Sequence, residues 1–311
     1  MQIGTLIQIV IVLLILMFIG FAGARKGIFT PAVTKAMSFL VFNVFLASSA
    51  FSSICDNAPD MDASKLLQAI VVLTVVIMLP HLISMAAGFM FFRNNPSRST
   101  AELCISVMNT LMFGLPIVQQ VYGGMSVMYM GLSSVPFNLS LYSLSIWRLL
   151  RGGSESGIEK IKIKLKDILS PVLVATMLAM LFLLAEIPVH PILKKFLDST
   201  APATLPMSMI VIGATMAGGS LLETFRDKRV YVVCFARLII NPLLIWLILS
   251  PFNMDPMLLK TAVVIAGCPC GVVVSVMSLQ YGKDALLASR SVMASTLLSV
   301  ITLPIVILLL G

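Results

Sequence analysis

The sequence predicts an all-α polytopic membrane protein: ten transmembrane helices arranged as two inverted five-helix repeats, with helices four and nine broken and crossing. Three observations predict it. The 311-residue chain is 59% hydrophobic and only 11% charged, with a mean hydropathy of +1.05, more apolar surface than a soluble domain can hide. Its apolar runs reach the roughly 20 residues that cross a bilayer. Two Gly-x-Pro interruptions, Gly114-Leu115-Pro116 and Gly267-Cys268-Pro269, fall inside such runs 153 positions apart, almost half the chain.

Taken in order, the first expected span, 3–24, has no early basic region and no small-residue cleavage site, which marks a retained helix. The second, 33–54, carries Asn43, Ser48 and Ser49 inside an apolar run, and the third, 66–92, carries Pro80 and His81. The fourth, 100–122, contains Asn109 and the first Gly-x-Pro. In the fifth, 126–148, Asn138, Tyr142 and Ser145 recur near helical spacing and share one interior face. A hydrophilic stretch from Arg151 to Lys160 then divides the chain into a first repeat (1–150), a cytoplasmic linker (151–167) and a second repeat (168–311). The remaining spans are expected at 168–188, 203–222, 230–250, 257–281 and 286–310. The eighth holds Arg237, the ninth the second Gly-x-Pro, and the tenth Ser295 and Thr296.

Five spans per half is an odd number, so the second half enters the membrane from the opposite side and the repeats are inverted. A proline inside a span has no N–H to donate, so Pro116 strands the carbonyl of Met112 and Pro269 that of Ile265. In hydrocarbon an unpaired backbone group costs several kcal/mol, so such breaks persist only inside protein or beside a water-filled cavity. Matched breaks in two halves point to a transporter's binding site. The residues of this crossover are Gly114, Pro116, Gly267, Cys268 and Pro269. Half-helix N-termini there carry free N–H groups and partial positive charge, which suits an anion.

Seventeen of the 21 Lys and Arg residues fall on one side of this arrangement, and only Lys65, Lys194, Lys195 and Lys260 on the other. The asymmetry places the 149–167 connection in the cytoplasm and both termini outside a cell (inner or plasma) membrane. It also accounts for the pI of 9.4 without a nucleic-acid partner. The basic run 161–166 reads as a topology-fixing linker. The cysteines, Cys55, Cys104, Cys234, Cys268 and Cys270, are odd in number and form no disulfide framework. Cys268-Pro269-Cys270 has no His or third Cys nearby in sequence, so no metal site is read there. The 21 methionines read as adaptable packing. No cofactor motif is present.

Polar groups at membrane depth are expensive and mark function. Asn109 lies seven residues before Pro116, two helical turns, and its amide can donate to a substrate carboxylate. Its other reading is a hydrogen bond to the carbonyls that the break frees. Asn43, Ser48, Asn138 and Tyr142 complete the candidate substrate-binding set, with Ser275, Ser278, Ser295 and Thr296 behind them. His81, the one mid-span side chain that ordinarily titrates near neutral pH, is the proton-coupling candidate. Arg237 is expected either to snorkel to the cytoplasmic surface or to balance an anionic substrate. No paired carboxylates occur at depth.

At these residues the chain resembles the auxin efflux carrier family, in its bacterial branch, which includes malonate and other carboxylate permeases. The resemblance rests on Phe42-Asn-Val-Phe45, on Asn109 through Ile117, on Leu205-Pro-Met-Ser208 with Ile212-Gly-Ala214, and on Pro269 through Asp284, Ala288-Ser289, Ser295-Thr-Leu-Leu298 and Thr302-Leu-Pro304. It implies a ten-helix crossover fold with a scaffold and a mobile transport domain. It places Asn109, Pro116 and Pro269 at the crossover, and Ser48 and Tyr142 on the cavity wall. Family members usually carry proline where this chain has Ala47, and the long cytoplasmic loop of the plant members is missing, which argues against auxin as cargo.

The expected function is therefore a secondary active permease or efflux carrier of a small organic anion, a carboxylate, by alternating access at the mid-membrane crossover. Its partners are that anion and the lipid bilayer, with a homodimer left open. The alternatives are a sodium-coupled bile-acid-type symporter and a non-transporting membrane receptor or sensor. An intramembrane enzyme is excluded by the lack of Asp-rich, His-Glu-x-x-His or other paired catalytic motifs.

Overall fold

In the computed structural model the described residues are 3–56, 63–151 and 170–310. Their regular elements are all helices, and their one strand-like pairing is a single antiparallel bridge between Met108 and Cys270. Apart from Arg151, the linker 151–167 and its basic run lie outside the described residues.

The first five helices are α1 (Ile3–Arg25), α2 (Pro31–Asp56), α3 (Ala63–Phe91), α4 (Arg98–Ser106) and α5 (110–122). After α6 (124–151) come α7 (Pro171–Leu184), α8 (Pro191–Thr200) and α9 (Thr204–Met216). The chain ends with α10 (Leu221–Arg226), α11 (Lys228–Leu249), α12 (Pro256–Gly267), α13 (Val273–Gln280) and α14 (Ala285–Leu309). Five stretches, Ile7–Arg25, Pro31–Asp56, Ser64–Phe91, Lys228–Leu249 and Ala285–Leu309, are long and apolar enough to cross a membrane. Their outward faces carry Phe18, Phe39, Met90 and Phe235, each more than half exposed, as lipid-facing side chains are.

Local chemistry sets the helix starts. Four helices open on a side-chain cap followed by proline: Thr30-Pro31, Ser170-Pro171, His190-Pro191 and Asp255-Pro256. In each the cap accepts an N–H from the first turn and the proline occupies a position whose N–H would be unpaired in any case. Gly123, at φ 80°, ends α5 in the left-handed region open to glycine, and its N–H bonds to Val118 at 3.2 Å. The amphipathic helix α8 and the short α10 stand where the sequence predicts only connections.

Helices α1 and α9 touch backbone to backbone. A Cβ placed on Gly20 would overlap the Ile210 carbonyl, and one on Gly213 the Met17 carbonyl. Small residues of this kind let membrane helices approach without a hydrophobic driving force between them.

Four π-turns interrupt the helices: Val41–Phe45 in α2, Thr110–Gly114 opening α5, Leu141–Ser145 in α6 and Ala236–Ile240 in α11. Two of them end just before a proline. The N–H of Leu115 bonds back five residues to Thr110 ahead of Pro116, and that of Asn241 to Ala236 ahead of Pro242. The widened turn takes up the register that each proline would otherwise break. Helix α5 therefore runs on through Pro116, and the break of the first half lies upstream, at Val107-Met108-Asn109. In the second half the break falls at Cys268–Val272, around Pro269, where the sequence places it.

Candidate functional site

The two breaks lie against each other. Asn109 donates its N–H to the Pro269 carbonyl and Gly271 its N–H to the Val107 carbonyl, both at 2.9 Å, which makes the Met108–Cys270 bridge. Gly114 and Cys268 also meet here, since a Cβ on Gly114 would lie 2.6 Å from the cysteine Sγ. Other groups of the crossing find partners too. Cys270 N–H donates to Ser295 Oγ at 3.0 Å, Cys268 N–H to the Ile265 carbonyl at 3.2 Å, and Cys270 Sγ–H to the Cys104 carbonyl at 3.0 Å. The Ile265 carbonyl that Pro269 strands is thus recovered locally, and a helix break can persist in a water-poor interior.

Behind the crossing lies Arg237, fully buried in its π-turn. Its Nε donates to the Cys268 carbonyl at 2.8 Å, one terminal nitrogen to Ile105 at 2.8 Å and the other to Ala266 at 3.0 Å. Asn241 adds its amide to Ile105 at 3.0 Å. These carbonyls are the C-terminal ends of α4 and α12, where the helix dipoles present negative charge. The guanidinium does not snorkel to a surface, contrary to that sequence expectation, and it lines no part of the cavity in front of the crossing. The sequence shows a charge at depth but not the carbonyls a fold brings around it.

In front of the crossing is a cavity of about 360 Å³. Asn109, Asn138 and Tyr142 line it, together with the opening residues of α5 and α13 (Thr110, Leu111, Val272 and Val273) and otherwise mostly apolar side chains. The N-terminal ends of α5 and α13 thus line one space, with the Val274 and Ser275 N–H groups already held by the Gly271 and Val272 carbonyls at 3.0 and 3.1 Å. Asn109 is 8% exposed and its Nδ2 has no partner; it stands at the break itself, not two turns along a helix from Pro116. Asn138 is already engaged, donating to the Ser134 carbonyl at 2.8 Å and to Ser170 Oγ at 3.4 Å.

Asn43 and Ser48 are not brought to this cavity. They line a more open groove of about 590 Å³ with Phe51, Phe182 and Phe196, and Pro171 alone belongs to both walls. Asn43 donates to its own helix at Phe39, at 2.7 Å. His81 lines neither space. Its Nε2 pairs with Ser140 Oγ, and its carbonyl accepts from Arg148 at 2.6 Å and from Ser84 at 2.8 Å. Ser295, a weak candidate in the sequence, holds the Cys270 N–H. Among the described residues no group of three His, Cys, Asp or Glu side chains is placed to hold a metal.

A family model described as "Membrane transport protein" matches residues 5–307. A protein of Rhizobium meliloti, provisionally named a malonate transporter, is 32% identical over 111 residues, which covers 35% of this chain and 34% of that protein. An uncharacterized transporter of Methanothermobacter thermautotrophicus is 24% identical over 303 residues, 96% of each chain.

Proposed function

Since the chain belongs to the auxin efflux carrier family of membrane transport proteins, we propose that it is a secondary active transporter of a small organic anion, a carboxylate, that works by alternating access at the helix crossing. The observation that carries this reading is the unpaired Nδ2 of Asn109 at the cavity in front of the crossing. A buried donor without a partner costs roughly 1–3 kcal/mol, which an incoming acceptor recovers. The N-terminal ends of α5 and α13 add partial positive charge, and the apolar walls suit a short hydrocarbon backbone. The name of the Rhizobium relative is in keeping with a carboxylate cargo.

In this reading the halves 1–150 and 168–311 are inverted repeats whose broken helices, 98–122 and 256–280, share the site. The basic asymmetry orients the 149–167 connection to the cytoplasm. The test is counterflow into vesicles reconstituted with the purified protein, across a panel of mono- and dicarboxylates. At least one carboxylate should exchange and should protect the protein against heat. A panel in which neutral or cationic solutes exchange and no carboxylate does would overturn the assignment.

A further inference from the structure

Three carbonyls from two half-helix ends, those of Ile105, Ala266 and Cys268, converge on a single point behind the crossing. Carbonyls gathered this way repel one another and need a cation or several donors between them. In carriers built on broken helices, unwound carbonyls and half-helix C-terminal ends are where a coupling cation binds. Here the place is taken by the guanidinium of Arg237, which meets each of the three at 2.8–3.0 Å. No carboxylate among the described residues lies within ion-pair distance of it; the ion pairs run instead through Arg98, Lys194, Arg229 and Arg290. Asn241 stands beside it, with its Nδ2 on the Ile105 carbonyl and its Oδ1 buried without a partner.

We infer that Arg237 is a resident cation, covalently tethered where a dissociable monovalent ion would otherwise sit, and that its removal uncovers a monovalent-cation site made of the Ile105, Ala266 and Cys268 carbonyls and Asn241 Oδ1. The donor set supports the assignment, because neutral oxygens without a carboxylate suit a singly charged, hard ion. The consequence for coupling rests on the transport reading above. A cation that cannot leave cannot be carried down its gradient, so substrate movement takes no metal ion with it at this place. Arg237 is then a positioning residue: it holds the ends of α4 and α12 together and does not touch the cargo.

The test uses thermal unfolding of the purified full chain in sodium, potassium, guanidinium or choline chloride at one ionic strength. The parent should unfold at the same temperature in all four, and its transport should be unchanged when choline replaces sodium. Arg237→Ala and the bulkier neutral Arg237→Gln should be less stable in choline and regain stability, saturably, with millimolar sodium or guanidinium. Arg237→Lys keeps the charge and should show no such response. A sodium requirement in the parent overturns the proposal, as do neutral variants that ignore every cation. If Arg237→Ala does not fold, the Gln and Lys pair decides by the same comparison. Unfolding needs no cargo, so failure of the carboxylate assignment would leave this result readable.

Discussion

The N–H of Asn109 donates to the carbonyl of Pro269 at 2.9 Å, across 160 residues of chain. That bond occupies the asparagine's backbone donor and leaves its side-chain amide, unpaired, at the cavity in front of the crossing. One residue therefore has two parts to separate: a main chain that holds the break and a buried side-chain Nδ2 without a partner.

The first prediction separates these parts. Asn109→Ala keeps the backbone bond and removes the side-chain donor. A hydrogen bond to a charged group is worth roughly 1.5–3 kcal/mol, so carboxylate affinity should drop about 10- to 150-fold with little change in the unfolding temperature. Asn109→Asp, which sets a negative charge before an anion, should bind more weakly still. Parent-like binding by Asn109→Ala would show that the amide has no part in recognition.

Pro116 and Gly271 should behave in opposite ways. The crossing is held by backbone bonds at Val107, Asn109, Pro269 and Gly271, and helix α5 passes through Pro116. Pro116→Ala should preserve counterflow and change stability by about 1 kcal/mol or less. A Cβ at Gly271 would lie 3.1 Å from Val107 Cγ1 and 3.3 Å from the Met108 carbonyl oxygen, so Gly271→Val should open the crossing and abolish counterflow. If Pro116→Ala abolishes counterflow, the proline itself is the working element.

Gly114 and Cys268 should be energetically coupled. Gly114→Ala forces a methyl against Cys268 Sγ, with Met130 Cε also close at 3.1 Å. Overpacking of this kind costs about 1–3 kcal/mol. Cys268→Ala removes the obstructing sulfur, so the double variant should be more stable than the sum of the single changes. A double-mutant cycle on unfolding temperatures reads the coupling, and strict additivity would disprove the contact.

The acid limb of stability should depend on Asp227 and Asp284, which lie outside the membrane spans. The hydrogen bond from Arg229 holds the Asp227 carboxyl below its ordinary range despite partial burial. For Asp284, burial pushes upward but is outweighed by hydrogen bonds from Ser97 Oγ and the Leu287 N–H and by the Arg229 charge. A carboxyl depressed in the folded state contributes stability that is complete above its unfolded pKa, about 3.9, and is lost as pH falls through the folded value. The unfolding temperature should be level near neutrality and decline below about pH 4. Asp227→Asn should lower the plateau and flatten the decline; an unchanged profile would show that the network contributes nothing.

How much of this was legible in the sequence depends on the range of the interaction. Helical stretches follow the apolar runs, because burial in lipid is read from composition. The second break was legible at Pro269, since a missing donor is local chemistry. The first was read seven residues too late, at Pro116, because a π-turn absorbs that proline while the true break is stabilised by a segment far along the chain. Asn109 stood out as an amide in an apolar run. Asn138 and Tyr142 were legible by spacing, but the separation of Asn43 and Ser48 from them was not, since it depends on which face of α2 meets α7. Arg237 shows the limit most plainly: its acceptors are carbonyls, which every residue possesses and no sequence pattern distinguishes.

The bonds at the crossing also bear on mechanics. Drawing the 107–109 segment away from 269–271 would break paired N–H and C=O groups in a water-poor interior, at several kcal/mol for each group left unpaired. The crossing therefore resists separation and, under the proposed alternating access, would serve as an axle. Elements moving between the two faces of the membrane in that mechanism would sweep arcs about it. A few degrees of rotation, negligible at Met108 and Cys270, grow in proportion to distance along α5 and α13 and become a change of width at their outer ends.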